Sequence, residues 1–402
     1  MDRERCLALD AADPLGAFRA EFVLPKGVVY LVGNSLGALP RRAAERVRQA
    51  VEDEWGGQLV GGWNHAGWYE QPLALGDRLA PLIGAGPGQV VVGNTTSIAI
   101  YQAVAAALRL RPGRRVIVSD VRNFPTDHYV VQGLARLLGG DGTGAYEIRD
   151  AAEGRFDDAA VVLLSEVDYR TGARHDVPAV TARAHEAGAL MVWDLCHSVG
   201  AMPVDVSAAD FAVGCTYKYL NAGPGAPAFL YVNPRHHATA ENVLQGWHGH
   251  AAPFAFEADY RPAEGIRRFA ISTPHVLSFA ALDAALEMWE RVPMDQVRAK
   301  SMALTSLFLD LVGDLLEPAS PADPEARGSQ VSLRHPDGYP VMRALIDRGV
   351  HGDFRAPDIL RFGFAPLYIR YVDVWDAAAT LREVLDKELW RDERYTRRLA
   401  VT

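Results

Sequence analysis

The sequence predicts an α/β protein, with a large domain built on a mostly parallel sheet and a smaller α+β unit at its carboxyl end. Three observations carry that expectation. From about residue 90, short uninterrupted apolar runs alternate with helical stretches. Around residue 275 the alternation stops and two long helical stretches follow. Beyond a Pro-rich segment from Pro318 to Pro324, strand-like and helical runs form a compact last unit.

The apolar runs cover 90–92, 116–118, 161–164, 190–193, 211–213 and 227–232. They are continuous rather than alternating, as strands buried on both faces are, and such strands separated by helices form parallel sheets. Helices are expected near 97–109, 127–138 and 179–188, then at 275–291 and 294–316. The terminal unit reads as a strand at 331–333, a helix at 339–349, a strand at 360–362 and a final helix. In that helix Val374, Ala377, Ala378, Leu381 and Leu385 make one apolar stripe. Near the amino end, one short helix and the run 28–31 precede the turn-rich Gly33-Asn34-Ser35-Leu36-Gly37. Pro40 then opens a helix with Ala43, Val47, Ala50 and Val51 on one face. The expected division is a large domain over 46–268, with 1–45 and 269–402 forming the small one.

The chain has 402 residues, 49% of them hydrophobic, enough for two domains with a sizeable core. Its formal net charge is −9 and it has no dense Lys/Arg block, which excludes a basic nucleic-acid-binding stripe and argues against anionic membranes. Three cysteines without regular spacing are no disulfide framework and indicate a reducing compartment. The charged amino terminus lacks a signal-peptide core, and no run approaches the ~20 apolar residues of a membrane span. A cytoplasmic protein is expected.

Open parallel sheets bind ligands at the carboxyl ends of their strands, so the polar residues following each apolar run are the ones to inspect. After 90–92 come Thr96 and Ser97, at the start of a helix whose free N–H groups suit a phosphate; the competing reading is plain helix capping. After 116–118 comes Phe124-Pro125-Thr126-Asp127, an aromatic that can stack on a planar ring and an acid that can accept from it; taken in isolation, a capping Asp after a Pro turn is the default. After 190–193 comes Asp194-Leu195-Cys196-His197. A carboxylate ending a buried strand needs a partner, and a pyridinium N–H is one; a satisfied core Asp is the alternative. An Asp–His metal site lacks further ligands at metal spacing, and no metal is expected. After 211–213 comes Tyr217-Lys218-Tyr219, where desolvation disfavours the charged amine, as a Schiff-base lysine requires. A snorkelling surface lysine is the bland alternative, and the aromatic neighbours and Gly223-Pro224-Gly225 argue against it. Phosphate turn, stacking aromatic, strand-end Asp and strand-end Lys, in that order, suit one pyridoxal-phosphate (PLP) molecule lying across adjacent strand ends.

With those residues in hand, the chain resembles the fold-type-I PLP enzymes, and the kynureninase family most closely. The telling segments are Gly33-Asn34-Ser35-Leu36-Gly37, Phe124-Pro125-Thr126-Asp127, Asp194-Leu195-Cys196-His197-Ser198-Val199-Gly200, Tyr217-Lys218-Tyr219-Leu220-Asn221, Gly246-Trp247-His248-Gly249-His250 and Ala365-Pro366-Leu367-Tyr368. The resemblance implies that Lys218 carries PLP, that Asp194 pairs with the ring nitrogen beside His197, and that Phe124 stacks on the ring near Asp127. Thr96, Ser97 and Tyr217 would serve the phosphate, Tyr217 also as a proton donor. Trp247 and Thr273 would reach the phosphate from the second subunit of a homodimer. Arg361 would grip the substrate carboxylate with Asn34 and Ser35 nearby, and His65 would lie towards the substrate's aromatic end. The implied reaction is hydrolysis of the Cβ–Cγ bond of kynurenine, 3-hydroxykynurenine or another ring-substituted kynurenine, within the kynurenine pathway of tryptophan catabolism and NAD biosynthesis. Rival expectations are a cysteine desulfurase or C–S lyase, an aminotransferase, and a non-catalytic PLP-binding protein. The first needs a reactive cysteine late in the chain, and none follows Cys215. The last should lack one of Asp194, Lys218 and Arg361, and all three are present.

Overall fold

A computed structural model describes residues 1–139 and 145–399. Among these, seven strands form the main sheet: β1 (Val90–Gly93), β2 (Val116–Ser119), β3 (Glu147–Asp150), β4 (Ala159–Ser165), β5 (Leu190–Asp194), β6 (Phe211–Cys215) and β7 (Ala228–Val232). Their order is β1-β7-β6-β5-β4-β2-β3. Every pairing from β6 to β3 is parallel, while β7 runs antiparallel to both β6 and β1. The connection decides this. Parallel neighbours need a crossover, commonly a helix, and the link from β6 to β7 contains no helix, so the chain returns in the opposite direction.

Every residue of β4, β5, β6 and β7 is buried, which is why these strands read as unbroken apolar runs. Strand β3 escapes that pattern. It is a sheet edge, and Glu-Ile-Arg-Asp offers one apolar residue in four. The helices Thr96–Leu110, Pro125–Gly139 and Val177–Glu186 fall where the periodicity expects them. The first carries buried residues almost all round, Ala99, Ile100, Ala103, Val104 and Ala107 among them, so small side chains let it lie close against the sheet.

A second, antiparallel sheet has the order β8-β9-β11-β10, from β8 (Glu317–Pro318), β9 (Gln330–Arg334), β10 (Asp353–Arg355) and β11 (Ile359–Gly363). The Pro-rich segment thus begins as an edge strand, where the missing N–H of Pro318 is tolerated. Val29–Tyr30 pairs in parallel with Val350–His351, joining the amino-terminal segment to this unit. On the helix Arg41–Gln49, Ala43 and Ala50 are buried but Val51 is 37% exposed. The chain widens into a π turn over Ala50–Gly56, and the extra residue per turn rotates Val51 off the expected face. In the final helix, Tyr371–Asp386, the stripe holds through Leu381, after which Val384 rather than Leu385 is buried.

Two carboxylates near the amino end tie it to this carboxyl-terminal unit. Asp10 accepts from the backbone N–H groups of Tyr371 (2.6 Å) and Val372 (3.1 Å), filling the free donors at the start of the last helix. Asp13 pairs with buried Lys300 at 2.6 Å, and Lys300 also donates to the carbonyl of Pro366 at 2.6 Å. Burial pulls the Lys300 ammonium below its ordinary value while Asp13 holds it up. Asp13→Ala should strand that charge and cost about 3–5 kcal/mol, read as a lowered midpoint in urea unfolding with an unchanged slope.

Candidate active site

The carboxyl ends of β1, β2, β4, β5 and β6 share one edge of the sheet, and a cavity of about 350 Å3 opens there. Asp194, the last residue of β5, is 4% exposed. Its Oδ1 accepts from the backbone N–H of Cys196 (2.9 Å) and its Oδ2 from the hydroxyl of Ser165 (3.3 Å), at the end of neighbouring β4. Both oxygens are thus steered from adjacent strands, while the side chain still lines the cavity.

Lys218 follows β6 by three residues and enters the same cavity. Its Nζ lies 2.9 Å from Nε2 of His197. Burial, and then the positive charges of Lys218, Arg361 and Arg355, push His197 well below its ordinary value. The ring is therefore neutral, Nε2 accepts from the lysine, and the ring proton sits on Nδ1. Tyr217 beside it is held above its ordinary value, first by burial and then by Cys215, so its phenol keeps its proton.

Thr96 and Ser97 occupy the first turn of the helix Thr96–Leu110 and line the cavity with Thr95. Thr95 is the N-cap, yet no side chain caps this terminus, so the capping alternative is not what these hydroxyls do. The first-turn N–H groups stay available to an anion. On the opposite wall, Arg361 is 2% exposed on β11 and spans Asp353 through Nε (2.6 Å) and Nη2 (2.5 Å). Its Nη1 donates to the carbonyl of Tyr169 at 2.7 Å. Asn34 and Ser35 line the cavity too, Asn34 donating to Gln330 at 2.7 Å, which in turn donates to the Tyr169 carbonyl at 3.0 Å.

Phe124 and Asp127 lie at the start of the helix Pro125–Gly139 and both line the cavity. Phe124 meets Tyr169 edge-on at 5.4 Å. Burial and then neighbouring Asp194 raise Asp127 well above the usual carboxylate range, which favours its neutral form. Three expected residues stand apart from this cavity within the single chain. Trp247 stacks on His248 at 4.9 Å and meets Trp63 edge-on at 5.7 Å. Thr273 and His65 are exposed. Ser165, Tyr169, Thr95 and Arg355 were not singled out in the sequence, yet line the cavity. Ser165 was open to the strand-end rule, since it follows the run 161–164; Arg355 gave no signal until β10 and β11 paired.

Three buried polar atoms of residues lining this cavity, Asn34 Oδ1, Asp127 Oδ2 and His197 Nδ1, have no hydrogen-bond partner among the described residues. Each such orphan costs about 1–3 kcal/mol, and a flat polar ligand removes the penalty. PLP fits the set: an acid fixed for its ring nitrogen, an amine for its aldehyde, a helix terminus with hydroxyls for its phosphate. No group of three or more possible metal ligands occurs among the described residues.

The fold and this constellation define a fold-type-I PLP enzyme. Solved structures of that architecture superpose closely: an apo cysteine desulfurase from Thermococcus onnurineus (TM-score 0.77, 19% identity, 92% of this chain and 98% of that one) and the Escherichia coli cysteine desulfurase CsdA (0.76, 20%, 93% and 98%). At such identities the likeness concerns the fold. The family model for the kynureninase C-terminal domain matches residues 297–381. Kynureninase from Burkholderia pseudomallei is 50% identical over 100% of this chain and 99% of its own, and that from Deinococcus radiodurans 52% identical over 96% and 97%. The chain belongs to the kynureninase family.

The raised Asp127 gives a signed prediction. A carboxyl whose folded value lies above its unfolded one binds a proton on folding, so its contribution to stability is present below the unfolded value and is lost as pH rises through the folded value. Asp127→Asn should therefore stabilise the cofactor-free protein by more than about 1 kcal/mol at pH 8 and by almost nothing at pH 4, measured by urea denaturation at both.

Proposed function

We propose that this enzyme hydrolyses the Cβ–Cγ bond of an L-kynurenine, plain or ring-substituted, to the corresponding anthranilate and L-alanine. One observation carries the reading: Lys218, Asp194 and Arg361 line a single cavity. That cavity supplies an amine, a ring-anchoring acid and a carboxylate clamp within reach of one amino-acid substrate. The family membership supports the reaction class.

PLP, when bound, supplies the electron sink that stabilises negative charge at the substrate α-carbon. Asp194, fixed by Ser165 and Cys196, holds a proton on the ring nitrogen. Lys218 would hold the cofactor through Nζ, and the same Nζ would take the substrate α-proton, with neutral His197 accepting its N–H and keeping it in place. Thr96 and Ser97 hold the phosphate end and Phe124 covers the ring. Tyr217, kept protonated by burial, is the proton donor. Arg361 grips the substrate carboxylate beside Asn34 and Ser35. Water adds to the γ-carbonyl carbon, the Cβ–Cγ bond breaks, and the anthranilate leaves before L-alanine.

The working form is a homodimer in which Trp247, Thr273 and His65 complete the partner's site. Supporting this, the region around Trp247 and His65 exposes large apolar side chains, Leu59, Val60, Phe254 and Phe256, each more than 60% accessible. The small domain comprises 1–45 and 269–402, supported by the pairing of Val29–Tyr30 with Val350–His351. We place the protein in the cytoplasm. All three cysteines are unpaired thiols, and no helix among the described residues is long and apolar enough to cross a membrane. A C–S lyase reading needs a thiol on a mobile loop late in the chain; Cys196 lines the cavity but is buried two residues beyond β5, and no cysteine follows Cys215.

Three measurements test this. The protein given L-kynurenine should release fluorescent anthranilate and L-alanine, and a keto-acid product instead would make it an aminotransferase. Lys218→Ala should lose the visible band of bound cofactor and at least about 10³-fold of turnover, the scale of a lost general acid–base group with the tether gone as well. Mixing inactive Lys218→Ala subunits with a Trp247→Ala/Thr273→Ala variant should restore activity through mixed dimers holding one intact site. No recovery after verified subunit exchange would rule out the shared site.

A further inference from the structure

The arginine expected to hold the substrate carboxylate does not work alone. Arg361 and Arg355 both face Asp353, which is 5% exposed. Asp353 and Arg361 are cross-strand partners on β10 and β11, and Arg355, two residues from Asp353, projects to the same face of β10. Asp353 accepts two bonds from Arg361, through Nε at 2.6 Å and Nη2 at 2.5 Å, and one from Arg355 Nη2 at 3.0 Å. One carboxylate therefore answers two guanidinium groups, and one positive charge at the cavity wall is left without a counter-ion within the cluster. Arg355 is lowered from its ordinary value by burial and then by Arg361, with Asp353 acting the other way. The depressed His197, which responds to both arginines, shows that their field reaches the catalytic end of the cavity.

The bond pattern also fixes orientation. A guanidinium carries five N–H donors. Asp353 takes the Nε–Nη2 side of Arg361, and the Tyr169 carbonyl takes one donor of Nη1. What remains is one N–H on each terminal nitrogen, the pair that a bidentate carboxylate contact requires.

We propose that Asp353, Arg355 and Arg361 form one carboxylate-binding device, in which Asp353 is a positioning residue that sets the plane of Arg361, and Arg355 restores the positive charge that Asp353 neutralises. The ligand class is an α-amino acid with a free carboxylate. This rests on the reading of Arg361 as the carboxylate clamp and deepens it. Removing either helper changes how tightly a carboxylate is held, without changing how the amine end is treated.

The test uses the PLP-loaded enzyme and follows the visible cofactor band during titration with L-alanine and with ethylamine, its counterpart without the carboxylate. Asp353→Asn and Arg355→Met should each weaken L-alanine by about ten- to a hundredfold, the scale of one charged hydrogen bond. Ethylamine affinity should change less than twofold, and Asp353→Glu should recover part of the loss. With L-kynurenine, the same variants should raise KM by a like factor while kcat falls less than about threefold, a split that general loosening of the fold would not give. Arg355→Met touches no bond of Arg361, so it stays informative where Asp353→Asn fails to fold. Equal weakening of both ligands, or unchanged L-alanine affinity in Arg355→Met, overturns the proposal. Failure of the wild type to cleave kynurenine sinks the proposed reaction alone, because the alanine–ethylamine comparison is read without turnover.

Discussion

A carboxylate at the end of a strand buried on both faces must be met by donors, and the site is arranged around how Asp194 meets that demand. One oxygen takes a backbone N–H just beyond its own strand and the other a hydroxyl from the strand beside it. Parallel pairing of β4, β5 and β6 makes this possible, since it sets Ser165, Asp194 and the approach to Lys218 at one edge of the sheet. Lys218 stands beyond the next strand over, so the spacing of neighbouring strands, about 4.8 Å, sets the scale on which acid and amine face one molecule. Were β6 antiparallel to β5, Lys218 would emerge at the far end of the sheet.

Around that pair, burial sorts the remaining ionisable groups by charge state. Asp127, His197 and Tyr217 are each pushed towards the neutral form, first of all by burial. The groups around them have defined partners: Asp194 accepts from Ser165 and Cys196, Lys218 meets His197, and Arg361 meets Asp353. The neutral groups bring hydrogen bonds without a competing field. A neutral imidazole accepts from the lysine where an imidazolium would repel it, and a neutral carboxyl at Asp127 adds no second negative charge beside Asp194.

The apolar runs made β4 to β7 legible because those strands are covered on both faces. Strand β3 was not, because an edge strand may carry charge. The strand-end rule led directly to Asp194 and Lys218, and to Thr96 and Ser97 at the helix start. It did not reach Arg355 or Asp353, whose meaning depends on a hairpin that pairs residues eight apart in the chain. Nor did it reach Tyr169, which contributes through a backbone carbonyl and so leaves no mark in its residue type. Val51 shows a different limit: a helical stripe holds only while the helix keeps its pitch, and the π turn after Gln49 ends that. Trp247, Thr273 and His65 lie where one chain alone gives them no access to the cavity, so neither sequence order nor a single subunit ties them to it.

The likeness to cysteine desulfurases shows how little of the chemistry the scaffold decides. Here a sheet of this order brings an acid and a lysine to a common edge, the pair that the proposed reading assigns to PLP. What happens next depends on the groups added around the pair. A desulfurase needs a thiol that can travel to the substrate, and the thiol at this cavity, Cys196, is buried just beyond β5 rather than carried on a late, mobile loop. A bond between carbons breaks instead when a carbonyl is hydrated next to the stabilised carbon, which calls for a proton source at the site and a firmly held carboxylate at the other end. In the proposed reaction Tyr217 provides the first, because burial keeps its proton on, and Arg361 the second. The second comes from β10 and β11, the part of the small unit that the family model also covers. The division of labour follows the division of the chain: the large sheet supplies the electron sink's mooring, and the small sheet chooses what is moored to it.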